Sequence, residues 1–112
     1  MIDKVVAPKN FDAKHLALQK TLDIICGKWR LYIIFQLGTE DRRYGELRRM
    51  IPEVSEKVLI QELKALVSLG VVEKKSYNEV PPRVEYCLTT KGKQVLPTLL
   101  ELTSIGETFL ES

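Results

Sequence analysis

A chain of 112 residues has room for one domain, and 45% hydrophobic with 29% charged residues is the balance of an ordinary soluble globular protein rather than a disordered one. A net charge of +2 neither demands nor excludes nucleic acid. No apolar run approaches the roughly 18 residues of a membrane span, the N-terminus is too polar for a signal peptide, and two cysteines, Cys26 and Cys87, do not make a secreted disulfide scaffold, so the expected location is the cytoplasm.

Residues 1–10 carry Pro8 and Asn10 without periodicity and are expected to form a flexible arm before a single domain over 11–112. From Asp12 the pattern is helical, with Leu18, Leu22, Ile25 and Trp29 at spacings of four and three. Gly27 divides the run into one helix ending near Cys26 and another starting at Lys28. The second is apolar almost all round from Trp29 to Leu37, which places it in the centre of the core, and Gly38 stops it. A short helix is predicted over Arg42–Met50, with Tyr44, Leu47 and Ile51 inward, and Pro52 ends it. Ser55 is a good N-cap for the next helix, which carries Leu59, Leu63, Leu66 and Val67 on one face and ends at Gly70. Two short helices separated by Pro52-Glu53-Val54 make a helix-turn-helix candidate.

After Gly70 the period changes to two. Residues 71–77 and 83–88 are predicted to pair as strands, joined by Asn78-Glu79-Val80-Pro81-Pro82, where proline fixes φ and cannot join a ladder. A last helix opens at Thr89 or Thr90 and carries Val95, Leu96, Leu99, Leu100, Leu102, Ile105, Phe109 and Leu110. The fold class is mainly α with a small β-hairpin, in the element order of a winged helix-turn-helix.

Function concentrates in the second helix of the pair. Opposite its apolar stripe stand Lys57, Gln61, Lys64 and Ser68, with Glu56 and Ile60 beside them. In helix-turn-helix proteins the start of this helix enters the major groove. Gln61 suits adenine, Lys57 a guanine or a phosphate, and Ile60 a thymine methyl. Arg42, Arg43, Arg48 and Arg49 cluster on and before the preceding helix, but residues 41–64 hold six basic and five acidic side chains, no strongly basic patch. A solvated, salt-bridged face explains the same residues. The hairpin adds Lys74, Lys75 and Arg83, a cationic tip suited to a DNA backbone or a narrow minor groove. The last helix is acidic and wide in its apolar face, and is expected to pack on the N-terminal helix (Leu16, Leu18, Leu22) of a second copy. Catalytic signals are missing. His15 is the only histidine, no phosphate loop or nucleophile elbow is present, and neither a metal nor a cofactor is expected.

Taken together, these segments resemble the HxlR family of bacterial winged helix-turn-helix regulators over roughly Leu16 to Gly106. The motifs that carry the resemblance are Val80-Pro81-Pro82-Arg83-Val84-Glu85-Tyr86 with Leu88-Thr89 and Gly92, then Gly27-Lys28-Trp29, then Arg43-Tyr44 with Glu46-Leu47. Ser55, Leu59 and Leu63 match its recognition helix. The resemblance implies a homodimer formed through the terminal helices, binding duplex DNA at a pseudo-palindromic site and catalysing nothing. Carried onto this chain it implies DNA contacts from Arg43, Ser55, Lys57, Gln61 and Arg83, to which the helical spacing adds Ile60 and Lys64; Trp29 and Tyr44 are expected in the core.

Two departures stand out. Leu16-Ala17 occupies the place where many members carry a Cys-Pro, so redox sensing at that site is excluded, and Cys26 is taken as structural. Ile105-Gly106 stands where Trp-Gly is frequent. A protein-interaction module on the same fold is the competing reading. A third is a regulator gated by a small-molecule effector, unidentified, between the dimer helices.

Overall fold

The computed structural model describes residues 9–111, with side chains from residue 12 onward. Residues 1–8 of the expected arm lie outside them, and Lys9 already begins the first helix, α1 (Lys9–Ile25). Gly27, at φ 125°, separates it from α2 (Arg30–Leu37), a conformation that costs glycine nothing and an L side chain much. Ile33, Ile34 and Leu37 of α2 are fully buried. The expectation that this helix is central all round needs correction: Tyr32 is 54% and Phe35 41% exposed, so one face builds the core and the other is open. Trp29 is half-buried against the core rather than within it.

The predicted helix over Arg42–Met50 is also corrected. Arg42 and Arg43 form a two-residue strand, β1, and α3 spans Tyr44–Met50. The Glu46 carboxylate accepts a hydrogen bond from the Arg43 backbone N–H at 2.9 Å, which holds the residue before the helix in an extended conformation. β1 then pairs antiparallel with β3 (Arg83–Leu88), Arg42 opposite Tyr86 and Arg43 opposite Glu85. With β2 (Val72–Tyr77) on the far side, the expected hairpin is a three-stranded sheet in the order β1-β3-β2.

Helix α4 (Glu56–Ser68) starts where expected. The Ser55 Oγ accepts from the Val58 N–H at 3.2 Å, an N-cap contact that satisfies one of the orphan donors of the first turn. Leu59, Leu63 and Leu66 are buried, but Val67 is 38% exposed, not on the core stripe. At about 100° per residue it lies some 80° from the stripe's centre, at its edge.

The last helix is divided into α5 (Thr90–Lys93) and α6 (Val95–Leu110). Thr89 anchors the break: its hydroxyl donates to the Gly70 carbonyl at 2.6 Å and accepts from the Gly92 N–H at 2.9 Å, while its N–H donates to the Val71 carbonyl at 3.0 Å. Beyond it, Leu99 is the one fully buried residue of α6. The radius of gyration is 17.1 Å, against about 13–14 Å for a compact chain of this length. The excess arises because the terminal helices project from the core built by α2–α4 and the sheet.

Candidate nucleic-acid interface

The α3–turn–α4 unit is held by buried apolar residues and by one polar clamp. Ile51 and Val54 of the turn are buried, and the Arg48 guanidinium donates to the Val54 carbonyl at 2.8 Å. Arg48 therefore fixes where α4 begins, a positioning role that the sequence did not reveal.

Around the axis of α4, Lys57, Gln61 and Ser68 fall within about 20° of the direction opposite the core, and Lys64 about 40° to one side. All four are exposed, and Ile60 is partly so. Glu62 lies on the other flank, turned inward to Arg30 at 2.6 Å. Other carboxylates near this surface are paired as well, closer to solvent. Asp41 pairs with Lys75, Glu40 with Arg42, and Glu79 and Glu85 with Arg83. Glu46 caps α3. Among the described residues Arg43, Lys57 and Lys64 enter no ion pair. Of the five carboxylates within residues 41–64, Asp41, Glu46 and Glu62 are thus engaged with neighbouring groups, while Glu53 and Glu56 are exposed and enter no ion pair among the described residues.

Ser55, exposed at the start of α4, stands beside that face with its hydroxyl engaged in the cap. Arg83 is placed differently from a projecting contact. Its guanidinium lies 3.9 Å above the Tyr77 ring, its cross-strand partner, and bonds Glu79 at 2.9 Å and Glu85 at 3.4 Å. It shares a shallow depression with Arg43 and Pro82, so these two arginines come together beside the N-terminus of α3, apart from the outward face of α4. Tyr44, expected in the core, is half-buried at the junction of α3, α4 and the sheet. Its hydroxyl is buried beside the Glu56 carboxylate, and burial first, then that carboxylate, raise its pKa.

Cys26 is exposed and Cys87 buried, both as free thiols. Burial pushes the Cys87 thiol up, with Lys75 opposing. Among the described residues no group of three or more His, Cys, Asp or Glu is placed to hold a metal ion, and no helix is long and apolar enough to cross a membrane.

Comparison with known proteins agrees with this geometry. The model of the HxlR-like helix-turn-helix family matches residues 24–112. The HTH-type transcriptional regulator YkvN of Bacillus subtilis (strain 168) is 41% identical over 91 residues, covering 81% of this chain and 77% of YkvN. An HTH-type transcriptional regulator of Methanothermobacter thermautotrophicus is 38% identical over 93 residues, 83% of this chain and 71% of that protein. Of solved structures, a MarR-family transcriptional regulator from Porphyromonas gingivalis W83 superposes with a TM-score of 0.76 at 46% identity, covering 91% of this chain and 95% of that one. Another from Enterococcus faecalis V583 gives 0.78 at 34%, covering 96% and 93%. These regulators share the winged-helix fold, and the family is one of regulators, not of enzymes. This chain belongs to the HxlR-like helix-turn-helix family of transcription regulators.

Proposed function

We propose that the protein binds duplex DNA as a homodimer on a pseudo-palindromic operator, in the cytoplasm. The observation that carries this reading is the outward face of α4, where Gln61 is exposed and Lys57 and Lys64 are exposed without ion pairs, while Asp41, Glu46 and Glu62 are engaged with other groups. Gln61 offers an amide for the N6/N7 edge of adenine, Ile60 a contact for a thymine methyl, and Lys57 and Lys64 cations for guanine or phosphate. Arg43 and the Ser55 region add backbone contacts that set register without reading sequence. Arg83 acts at the wing, where its stacking and ion pairs stiffen the ribbon that lies against the flanking backbone. Exposed Leu16, Leu18 and Leu22 on α1 and Leu100, Leu102 and Ile105 on α6 supply the apolar surface for a second copy.

Selection of the full chain against a random duplex pool at moderate salt tests this. The expected product is a palindrome with half-sites about 34–36 Å apart, bound with an affinity that falls steeply as salt displaces phosphate contacts. No enrichment and no salt-dependent binding would overturn the proposal in favour of a protein-interaction module.

A further inference from the structure

Helix α1 is held to its own chain at one end only. Residues 12–23 are exposed, and Ile24 and Ile25 in its last turn are partly buried against the core. By contrast, α6 is anchored by the buried Leu99. The direction in which α1 leaves the core is therefore decided at the break after it, where Gly27 stands at φ 125° and imposes little preference of its own.

Arg30 spans that break. Its side chain folds back over Gly27, so that a β carbon there would lie 3.5 Å from its Cδ, in ordinary contact. Nη1 donates to the Asp23 carbonyl in the last turn of α1, one of the four carbonyls that a helix end leaves without an intrahelical partner. No basic residue of α1 occupies that turn, so Arg30 supplies from outside the cation that the C-terminal end of a helix favours. Nε of the same guanidinium donates to the Glu62 carboxylate of α4 at 2.6 Å. The two side chains are only 20% and 25% exposed, which shields the pair from screening by salt. A planar fork holds both donors in fixed relative directions. One guanidinium thus ties the helix proposed to carry the dimer contact to the helix proposed to read DNA.

We propose that Arg30, with Glu62 as its anchor on α4, is a positioning residue that fixes the angle between α1 and α4 and thereby the half-site spacing the dimer accepts. The consequence for DNA rests on the proposed function; the link itself does not. Half-sites about 34–36 Å apart place each α4 roughly 17 Å from the two-fold axis. On that arm a tilt of about 6° moves each reading helix by about 1.8 Å and separates the pair by about 3.5 Å, close to one base-pair step. Spacing therefore responds to a loss of angular definition too small to disturb the core. Base preference within a half-site depends instead on the outward residues of α4.

The palindrome selected by the full chain is rebuilt with its spacer shortened or lengthened one base pair at a time. Each duplex is titrated with the parent, Arg30→Met and Glu62→Ala. Both replacements are good helix formers, and neither residue belongs to the buried core. The parent is expected to discriminate between adjacent spacings by about tenfold or more. Either variant is expected to reduce that ratio to about threefold or less, with base preference inside each half-site as in the parent. The double variant should lose no more than either alone, because both remove one link. In the DNA-free chain, residual dipolar couplings of α1 amides are expected to shrink relative to those of α4 in both variants. A spacing ratio or couplings unchanged in either variant, or losses that add in the double, would overturn the proposal. Half-site preference falling together with the spacing ratio would also overturn it, by marking a general structural role. A parent that selects no paired half-sites sinks the proposed function, and the couplings then decide alone: reduced values in both variants leave the link standing, and unchanged values remove it.

Discussion

Gly92 shows how far a single atom decides this fold. A β carbon added there would sit 2.1 Å from the Val71 carbonyl oxygen, which is backbone and has no rotamer to yield. Gly92→Ala is expected to destabilise the chain by about 1–3 kcal/mol, the usual cost of overpacking, read as a lower urea midpoint with an unchanged slope. The motif containing Gly92 was legible in the sequence, but its reason was not, because the contact joins residues that only the tertiary fold brings together. The same holds for Arg83. Its type and place near the tip could be read directly, whereas its pairing with Tyr77, Glu79 and Glu85 depends on strand register.

Tyr44 and Tyr86 carry a second prediction at this scale. Burial raises both phenols above their ordinary value of 10.0, with Glu56 adding to the rise at Tyr44. A raised pKa in the folded chain means that folding favours the protonated phenol. That stabilisation is fully present below about pH 10 and is lost as pH rises through the folded-state values. Tyrosinate absorbance is expected to show these two ionising late and in step with alkaline unfolding, and Tyr44→Phe to remove one late component. Ionisation of both at the ordinary value in a still-folded chain would contradict the burial argument.

At the scale of the element, α4 was the most legible part of the molecule. Its Ser55 cap, its stop at Gly70, its outward residues and the centre of its apolar stripe were all legible in the sequence. The start of α3 was not, because a two-residue strand has no period to detect; Arg42 and Arg43 become β1 only through pairing with β3. Val67 was misplaced because the period locates the stripe's centre better than its edge. Ser55 allows cap and contact to be separated. Ser55→Ala is expected to lose about 1 kcal/mol of stability. Ser55→Asp should retain the cap yet weaken DNA binding through repulsion of phosphate, measured by melting and by duplex titration. A Ser55→Asp variant binding as well as the parent would remove this residue from the interface. Along the same helix, Gln61→Ala is expected to relax base preference at one position by about 1–3 kcal/mol. Arg83→Ala, by loosening the wing, should weaken binding to all sequences alike. Identical preferences in selections with both variants and the parent would place the reading face elsewhere.

For the whole molecule, the question is why the terminal helices extend past the core they could serve. Leu99 fulfils the core's need in α6, yet Leu100, Leu102, Ile105 and Leu110 continue the apolar surface into solvent, and α1 exposes Leu16, Leu18 and Leu22. Gly106 turns to the same side as Leu99, and a β carbon there would meet nothing within 4 Å. Alanine would serve an isolated helix better by about 1 kcal/mol, and a glycine there leaves room for close approach of a second helix in the proposed dimer. In a two-fold interface each substitution counts twice. Leu100→Glu with Ile105→Glu removes four aliphatic side chains from the proposed contact, each worth about 1.5–3 kcal/mol when buried. Because both residues are exposed in the single chain, the core should fold as before. The dimer, however, should weaken by at least about four orders of magnitude in Kd, and with it the preference for paired half-sites over single ones. Sedimentation equilibrium of parent and variant at micromolar concentration checks this. A parent that sediments as a monomer, or a variant that stays dimeric, would mean that these helices meet something other than a second copy.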